Sequence, residues 1–296
     1  MTASSYHRVR TLAALSALAL ASLPAALHAQ RATQPATDPR VGLRAGLTDA
    51  GVAAKNLALV SNRPKPDILM GRDSTGKLNL AGLTFANSDL AFRGNYVYQG
   101  NFSGFQIWDV SDPRNPVMRK AYSCATGQGD PSIFGNLLFI SAEGTGNRVD
   151  CGAQGIQEQV SKDRFRGVRI FDLSDPDNPK PVGWAQNCRG SHTHTLVPDP
   201  KDKSVVYIYF SGSSQVREAG ELEGCSDAPA DSAGSSRGRI DVVRVPLANP
   251  GEAKLVNGAR IFTELTRAQS HGLPPGDTSA PRRGRGAGAP PAGAPG

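Results

Sequence analysis

The chain has 296 residues, of which 33 are glycine, 22 are proline and 20% are charged, and it carries a formal charge of +7. Arg8 and Arg10 supply two of those charges, and Arg267, Arg282, Arg283 and Arg285 against Asp277 supply a net three, so the body between these ends holds +2. With no basic stripe interleaved with aromatics and no glycine-rich phosphate loop followed by its lysine, nucleic acid and nucleotide are excluded as expected partners.

Residues 1–29 open with Arg8 and Arg10, continue through an apolar stretch from Leu12 to Leu27 and end in His28-Ala29. A basic region, a hydrophobic region and a small residue at the cut predict a signal peptide cleaved after Ala29. A membrane-spanning anchor needs about 20 apolar residues; Pro24 and the short stretch argue against one. Membrane contact is expected only if this segment stays uncleaved. Residues 30–55 read as a polar linker, and Asn56-Leu-Ala-Leu-Val-Ser61 as one isolated strand.

One phrase then occurs twice, 63 residues apart: Gly104-Phe-Gln-Ile-Trp-Asp-Val-Ser-Asp-Pro-Arg-Asn-Pro116 and Gly167-Val-Arg-Ile-Phe-Asp-Leu-Ser-Asp-Pro-Asp-Asn-Pro179. Its β-branched and aromatic run predicts a strand buried on both faces. The prolines cannot enter a ladder, and Asp112 and Asp175 favour turns made by side-chain-to-backbone hydrogen bonds. Upstream of each copy, Gly94-Asn95 and Gly135-Asn136 predict hairpins between two short strands. Downstream, 117–123 and 180–187 predict an outer strand. A third, weaker copy follows, with strands at 196–197, 205–210, 238–245 and 253–262.

Four short strands in each unit of about 40 residues predict the blades of a β-propeller. The fold expected is all-β, with three blades at about 84–124, 125–188 and 189–262. The doubled phrase resembles the repeat of the LVIVD family, whose strand consensus is followed by a Ser-Asp-Pro-x-Asn-Pro-type turn. The resemblance covers about residues 84–262. It implies a propeller in a secreted or surface bacterial protein and implies no reaction. The strand at 56–61 is then expected to complete the last blade. Propellers close with about four to eight blades, so three are too few: the ring is expected to be truncated, completed by a second copy in a homodimer, or open. Residues 266–296, rich in Gly, Pro, Ala and Arg, are expected to be a disordered tail.

Four cysteines allow three pairings. Cys124 and Cys188 both close outer strands, while Cys151 and Cys225 both fall in insertions after the second strand of the next unit. The repeat therefore selects Cys124–Cys151 and Cys188–Cys225. Each bridge pins one insertion, 143–166 or 213–237. A four-cysteine metal site lacks any C-x-x-C spacing, and export favours oxidation.

The candidate chemistry lies in Ser191-His-Thr-His-Thr195. On a strand, His192 and His194 share a side at a separation of about 6–7 Å, as two ligands of one divalent metal ion can. Asn87-Ser-Asp89 and Gln128-Gly-Asp130 occupy roughly equivalent positions before the first strands of their units. Asp89, Asp130, His192 and His194 are therefore expected at one mouth of the channel, as a metal site, as a site for another small ligand, or as strand caps that bond neighbouring blades. His271 is a further candidate near the start of a fourth unit. Gly234-Ser-Ser-Arg-Gly238 matches G-x-S-x-G without the strand-to-helix context that motif needs. Asn101-Phe-Ser103 matches a glycosylation sequon and reads as an unmodified turn. The resulting expectation is an exported, non-catalytic binding or scaffolding module for a protein or small ligand outside the cytoplasm. The alternative is a metal-dependent enzyme that uses the histidine pair.

Overall fold

The computed structural model describes residues 38–46, 49–72, 75–78, 83–230 and 232–261. The expected signal peptide, the tail from 266 and His271 lie outside the described residues. The chain divides into two units, one holding residues up to 65 with 111–116 and the other 66–110 with residues from 117 onward.

In the first unit, residues 56–61 form no strand, which corrects the expectation of an isolated one. Their β-branched and leucine composition has no ladder partner to act on, and Leu57 and Leu59 remain 82% and 70% exposed. The neighbouring residues hold the Ser-Asp-Pro turn by side chains instead. Ser61 Oγ donates to the Pro113 carbonyl at 2.8 Å, and Arg63 to Asn115 Oδ1 at 2.6 Å.

The second unit is built on three four-stranded antiparallel sheets with almost no helix. Sheet 1 contains β1 (Asn87–Arg93), β2 (Tyr96–Asn101), β3 (Gly104–Asp109) and β4 (Val117–Ser123). Sheet 2 contains β5 (Pro131–Phe134), β6 (Leu137–Ala142), β7 (Gly167–Asp172) and β8 (Lys180–Gln186). Sheet 3 contains β9 (Thr193–Pro198), β10 (Val205–Ser211), β11 (Arg239–Pro246) and β12 (Lys254–Arg260). Strands pair in chain order within each sheet.

The doubled phrase supplies the third strand of sheets 1 and 2. Its glycine is fixed by close approach: Gly104 and Gly167 both have φ +153°, and a Cβ there would lie 1.9 Å from the carbonyl oxygen of Tyr122 or Ala185. Three residues later the ladder to the outer strand slips, between Ile107 and Trp108 and between Ile170 and Phe171. The same slip falls between Val242 and Val243 in sheet 3. A bulge at one position in all three sheets marks them as copies of one unit.

The phrase ends as its chemistry dictates. The Asp112 carboxylate accepts the Arg114 N–H at 2.9 Å. Asp175 accepts the Asp177 N–H at 2.9 Å and the Asn178 side-chain amide at 2.8 Å. The Asn178 bond, foremost, holds the Asp175 carboxyl below its usual range.

The middle strands of sheet 2, β6 and β7, are buried on both faces because alternate residues of one strand serve two cores. Leu137 and Phe139, with Val168 and Ile170, pack against Val206, Ile208, Phe210, Val243 and Val245 of sheet 3. Leu138 and Ile140, with Phe171 and Leu173, pack against Tyr98, Phe105 and Ile107 of sheet 1. Phe105 and Phe171 meet edge to face at 5.0 Å, a geometry that adds about 0.5–1.5 kcal/mol to their burial. The far face of sheet 1 is less covered: Phe92, whose neighbour Ala91 packs on the core, is 66% exposed. The first strands lie side by side, β1 beside β5 and β5 beside β9.

Both disulfides form, Cys124–Cys151 and Cys188–Cys225, with Cα separations of 4.6 and 5.3 Å. This is the pairing the repeat selects. Such bridges persist in an oxidising, non-cytoplasmic environment. Among the described residues no helix is long and apolar enough to cross a membrane.

Candidate functional site

The bulge at Ile107, Ile170 and Val242 gives a common register for the three sheets. Through it Tyr98, Phe139 and Tyr209 correspond, and so do their first-strand partners Ala91, Ser132 and Thr195. Stepping back along each first strand, His194 matches Leu90 and Pro131, while Asp89 and Asp130 match Thr193. The expected row of Asp89, Asp130 and His194 is thus shifted by one residue in the third sheet.

The shift separates some of these residues and joins others. Asp89 is exposed, beside the irregular pairing between Asn87 and Leu90. Asp130 and His194 meet across the two sheets. Asp130 Oδ2 accepts the His194 backbone N–H at 2.9 Å and lies 3.3 Å from its ring Nδ1. The His194 side chain is fully buried. Its Nδ1 is also 2.8 Å from Ser141 Oγ, which is 2.7 Å from Ser191 Oγ, and its Nε2 has no partner.

His192 lies just before β9 with its side chain 48% exposed. Its Nδ1 bonds Glu143 Oε1 closely. The Glu143 carboxylate also accepts the Ser213 backbone N–H at 2.8 Å and its hydroxyl at 3.0 Å. It therefore ties the end of β6 to the start of the second insertion.

These contacts define what the cluster can do. In an acyl-transfer triad the acid holds one ring nitrogen and the serine uses the other. Here Ser141 and Asp130 share Nδ1 of His194, and Ser213 and Glu143 share Nδ1 of His192. Neither histidine can relay a proton from serine to carboxylate in that way, and Ser141 and Ser191 are fully buried. The two rings each have their own partners on Nδ1 and do not converge there. Among the described residues no three His, Cys, Asp or Glu side chains gather as a metal site would require. What the cluster does is bond sheet 2 to sheet 3 and to the insertion that follows β10.

Sequence reasoning missed Ser141, Glu143 and Ser213. The available signal was a difference between copies: Ser141 stands where the first unit has Gly100, and Glu143 where it has Phe102. The remaining motifs are structural. Asn101 is fully buried, with its amide donating to the Ala86 carbonyl at 2.8 Å. Ser236 Oγ accepts the Ser226 N–H at 3.1 Å, and Ser236 is 4% exposed.

A second polar centre joins the two insertions. Glu221 accepts from Arg164 Nε at 2.8 Å, from Arg217 Nε at 2.5 Å and from the Ser161 N–H at 3.1 Å. All three charged side chains are at most 7% exposed. Burial raises the Glu221 carboxyl, and the Ser161 N–H and the two guanidinium groups outweigh it, so the group lies below its ordinary value.

No protein-family model matches the sequence, and no curated protein matches it. Among solved structures the chain is similar to hydrazine synthase from Kuenenia stuttgartiensis, at 10% identity and a TM-score of 0.33, over 58% of this chain and 36% of that one. It is also similar to a chain from an S. cerevisiae assembly of dbp5 with nup159 and gle1, at 9% identity and a TM-score of 0.21, over 58% of this chain and 46% of that one. The chain thus spans less than half the length of either. Likeness at this level carries neither fold nor function to this protein.

Proposed function

We propose that this protein is an exported, non-catalytic binding or scaffolding module of the β-propeller type, built from LVIVD-like repeats. The observation that carries the reading is the stacking of the sheets. Sheet 2 shares a core with sheet 1 on one face and with sheet 3 on the other, while the first strands of all three lie side by side. Face-to-face sheets with their first strands together are the geometry of radially repeated blades.

Asp130, His192 and His194 act in this reading as ties between blades, while Asp89 stays exposed and makes no such tie. The binding surfaces are the two disulfide-pinned insertions and the rim of the blades, and the partner is a protein or small ligand outside the cytoplasm. The three blades among the described residues leave a radial ring unfinished, because each blade needs a neighbour to bury its face, and Phe92 on the far face of sheet 1 is 66% exposed. Further strands or a second copy complete it. Size-exclusion chromatography with light scattering, followed by a thermal melt, tests this. A dimer, or an association-prone monomer, is expected. A monodisperse monomer that unfolds cooperatively would contradict an unfinished ring.

A further inference from the structure

The insertions line a pocket of about 310 Å³, partly open to solvent and bordered by Arg164, Arg166, Arg217 and Glu221 together with Glu158 and Glu218. Its charges are segregated by depth. Glu221 neutralises only one of the two arginines that grip it. Arg166 is 5% exposed, and among the described residues no carboxylate pairs with it. Its Nη1 donates to the Gln215 carbonyl, and its Nε has no partner. Burial, with repulsion from Arg164, pushes its guanidinium down to about 10, so it still carries its charge at neutral pH. The lining at this depth therefore holds three cations and one anion, with the Glu143 carboxylate acting on Arg166 from outside the lining. The rim carries the exposed carboxylates of Glu158 and Glu218.

An uncompensated buried charge is costly, and a guanidinium matches a carboxylate in shape as well as in charge. A simple anion would satisfy the floor and be repelled at the rim. A ligand with its anionic end inward and a cationic end outward satisfies both. The volume falls at the lower end of the range for small-molecule sites, about 300–1,000 Å³.

We propose that this pocket is a binding site for a zwitterion of the α-amino acid class, with its carboxylate against Arg166 and its ammonium toward Glu158 and Glu218. The site depends on the two insertions and not on ring closure, so it stands or falls separately from the propeller reading.

The test is a thermal-shift screen of the purified full chain against the standard L-amino acids, followed by calorimetry with any that bind. Each binder is then compared with its analogue lacking the amino group, and with sulfate. At least one amino acid is expected to bind, with the deaminated analogue weaker by about tenfold or more and sulfate weaker still. Arg166→Gln should abolish binding. Glu158→Gln with Glu218→Gln, both on the surface and compatible with folding, should bring the amino acid and its analogue to equal affinity. No binding by any amino acid, sulfate binding as tight as the amino acid, or an unchanged preference in the rim variant would overturn the proposal.

Discussion

The Asp130 carboxylate accepts the backbone N–H of His194 at 2.9 Å, across the boundary between sheets 2 and 3. It joins the starts of the first strands of two successive units through one side chain, beside the backbone bond from the Ser191 N–H to the Ala142 carbonyl. Removing the acceptor leaves an N–H beside a fully buried ring. Asp130→Ala is expected to cost about 1–3 kcal/mol, the penalty for an unsatisfied buried group. Asp130→Asn, which keeps an acceptor oxygen, should cost less. Urea denaturation of both variants checks the order; equal stability of Asp130→Ala and the parent would contradict the role.

The two disulfides close chain segments with separations of 27 and 37 residues. Loop-entropy estimates put each at about 3.5–4 kcal/mol. Replacing Cys188 and Cys225 with serine should therefore lower the unfolding midpoint at least as much as replacing Cys124 and Cys151. Non-reducing digestion and mass spectrometry should recover only the Cys124–Cys151 and Cys188–Cys225 peptides. A Cys124–Cys188 peptide would undo the equivalence of the units.

Gly167 and Gly94 both have positive φ, +153° and +57°, and differ in surroundings. A Cβ at Gly167 would sit 1.9 Å from the Ala185 carbonyl oxygen, while nothing lies within 4 Å at Gly94. Gly94→Ala should cost about 1 kcal/mol from backbone strain alone. Gly167→Ala must also push β7 away from β8 and should cost several times more, read as a larger fall in denaturation midpoint.

Glu221 holds its charge between Arg164 and Arg217. Its carboxyl lies below the ordinary value of 4.5 in the folded chain. A depressed folded value means that its contribution is fully present above the unfolded value and is lost as pH falls through the folded one. Protection of the Ser161 amide, which bonds Glu221, should therefore decay as pH drops below about 4.5, before the core of sheet 2 opens. Hydrogen exchange measures both. Glu221→Gln should loosen the insertions at neutral pH and cost about 3–5 kcal/mol, because the arginines are left buried and uncompensated.

The scaffold was largely legible in the sequence because repetition encodes it. The glycine, the apolar alternation and the Ser-Asp-Pro stop recur together, and they locate β3, β7 and their turns without any long-range information. The cysteine pairing followed from position within the unit. The isolated strand at 56–61 failed because strand propensity has no effect without an edge to pair with. The register of the third unit lies one residue from the sequence expectation because its bulge, between Val242 and Val243, sits outside a recognisable phrase. Glu143 and Glu221 were invisible because their partners, Ser213 and the Arg164–Arg217 pair, reach them only after the insertions fold back on one another.

His192 and His194 tie sheet 2 to sheet 3 and to the insertion after β10, and in the proposed reading this is their role, in place of holding a catalytic metal. Elemental analysis of the purified full chain, beside a His192→Ala variant whose lost side chain is half exposed, tests it most directly. No stoichiometric transition metal or zinc is expected in either protein, with the same fold in both. About one metal ion per chain in the parent, absent from the variant, would contradict it.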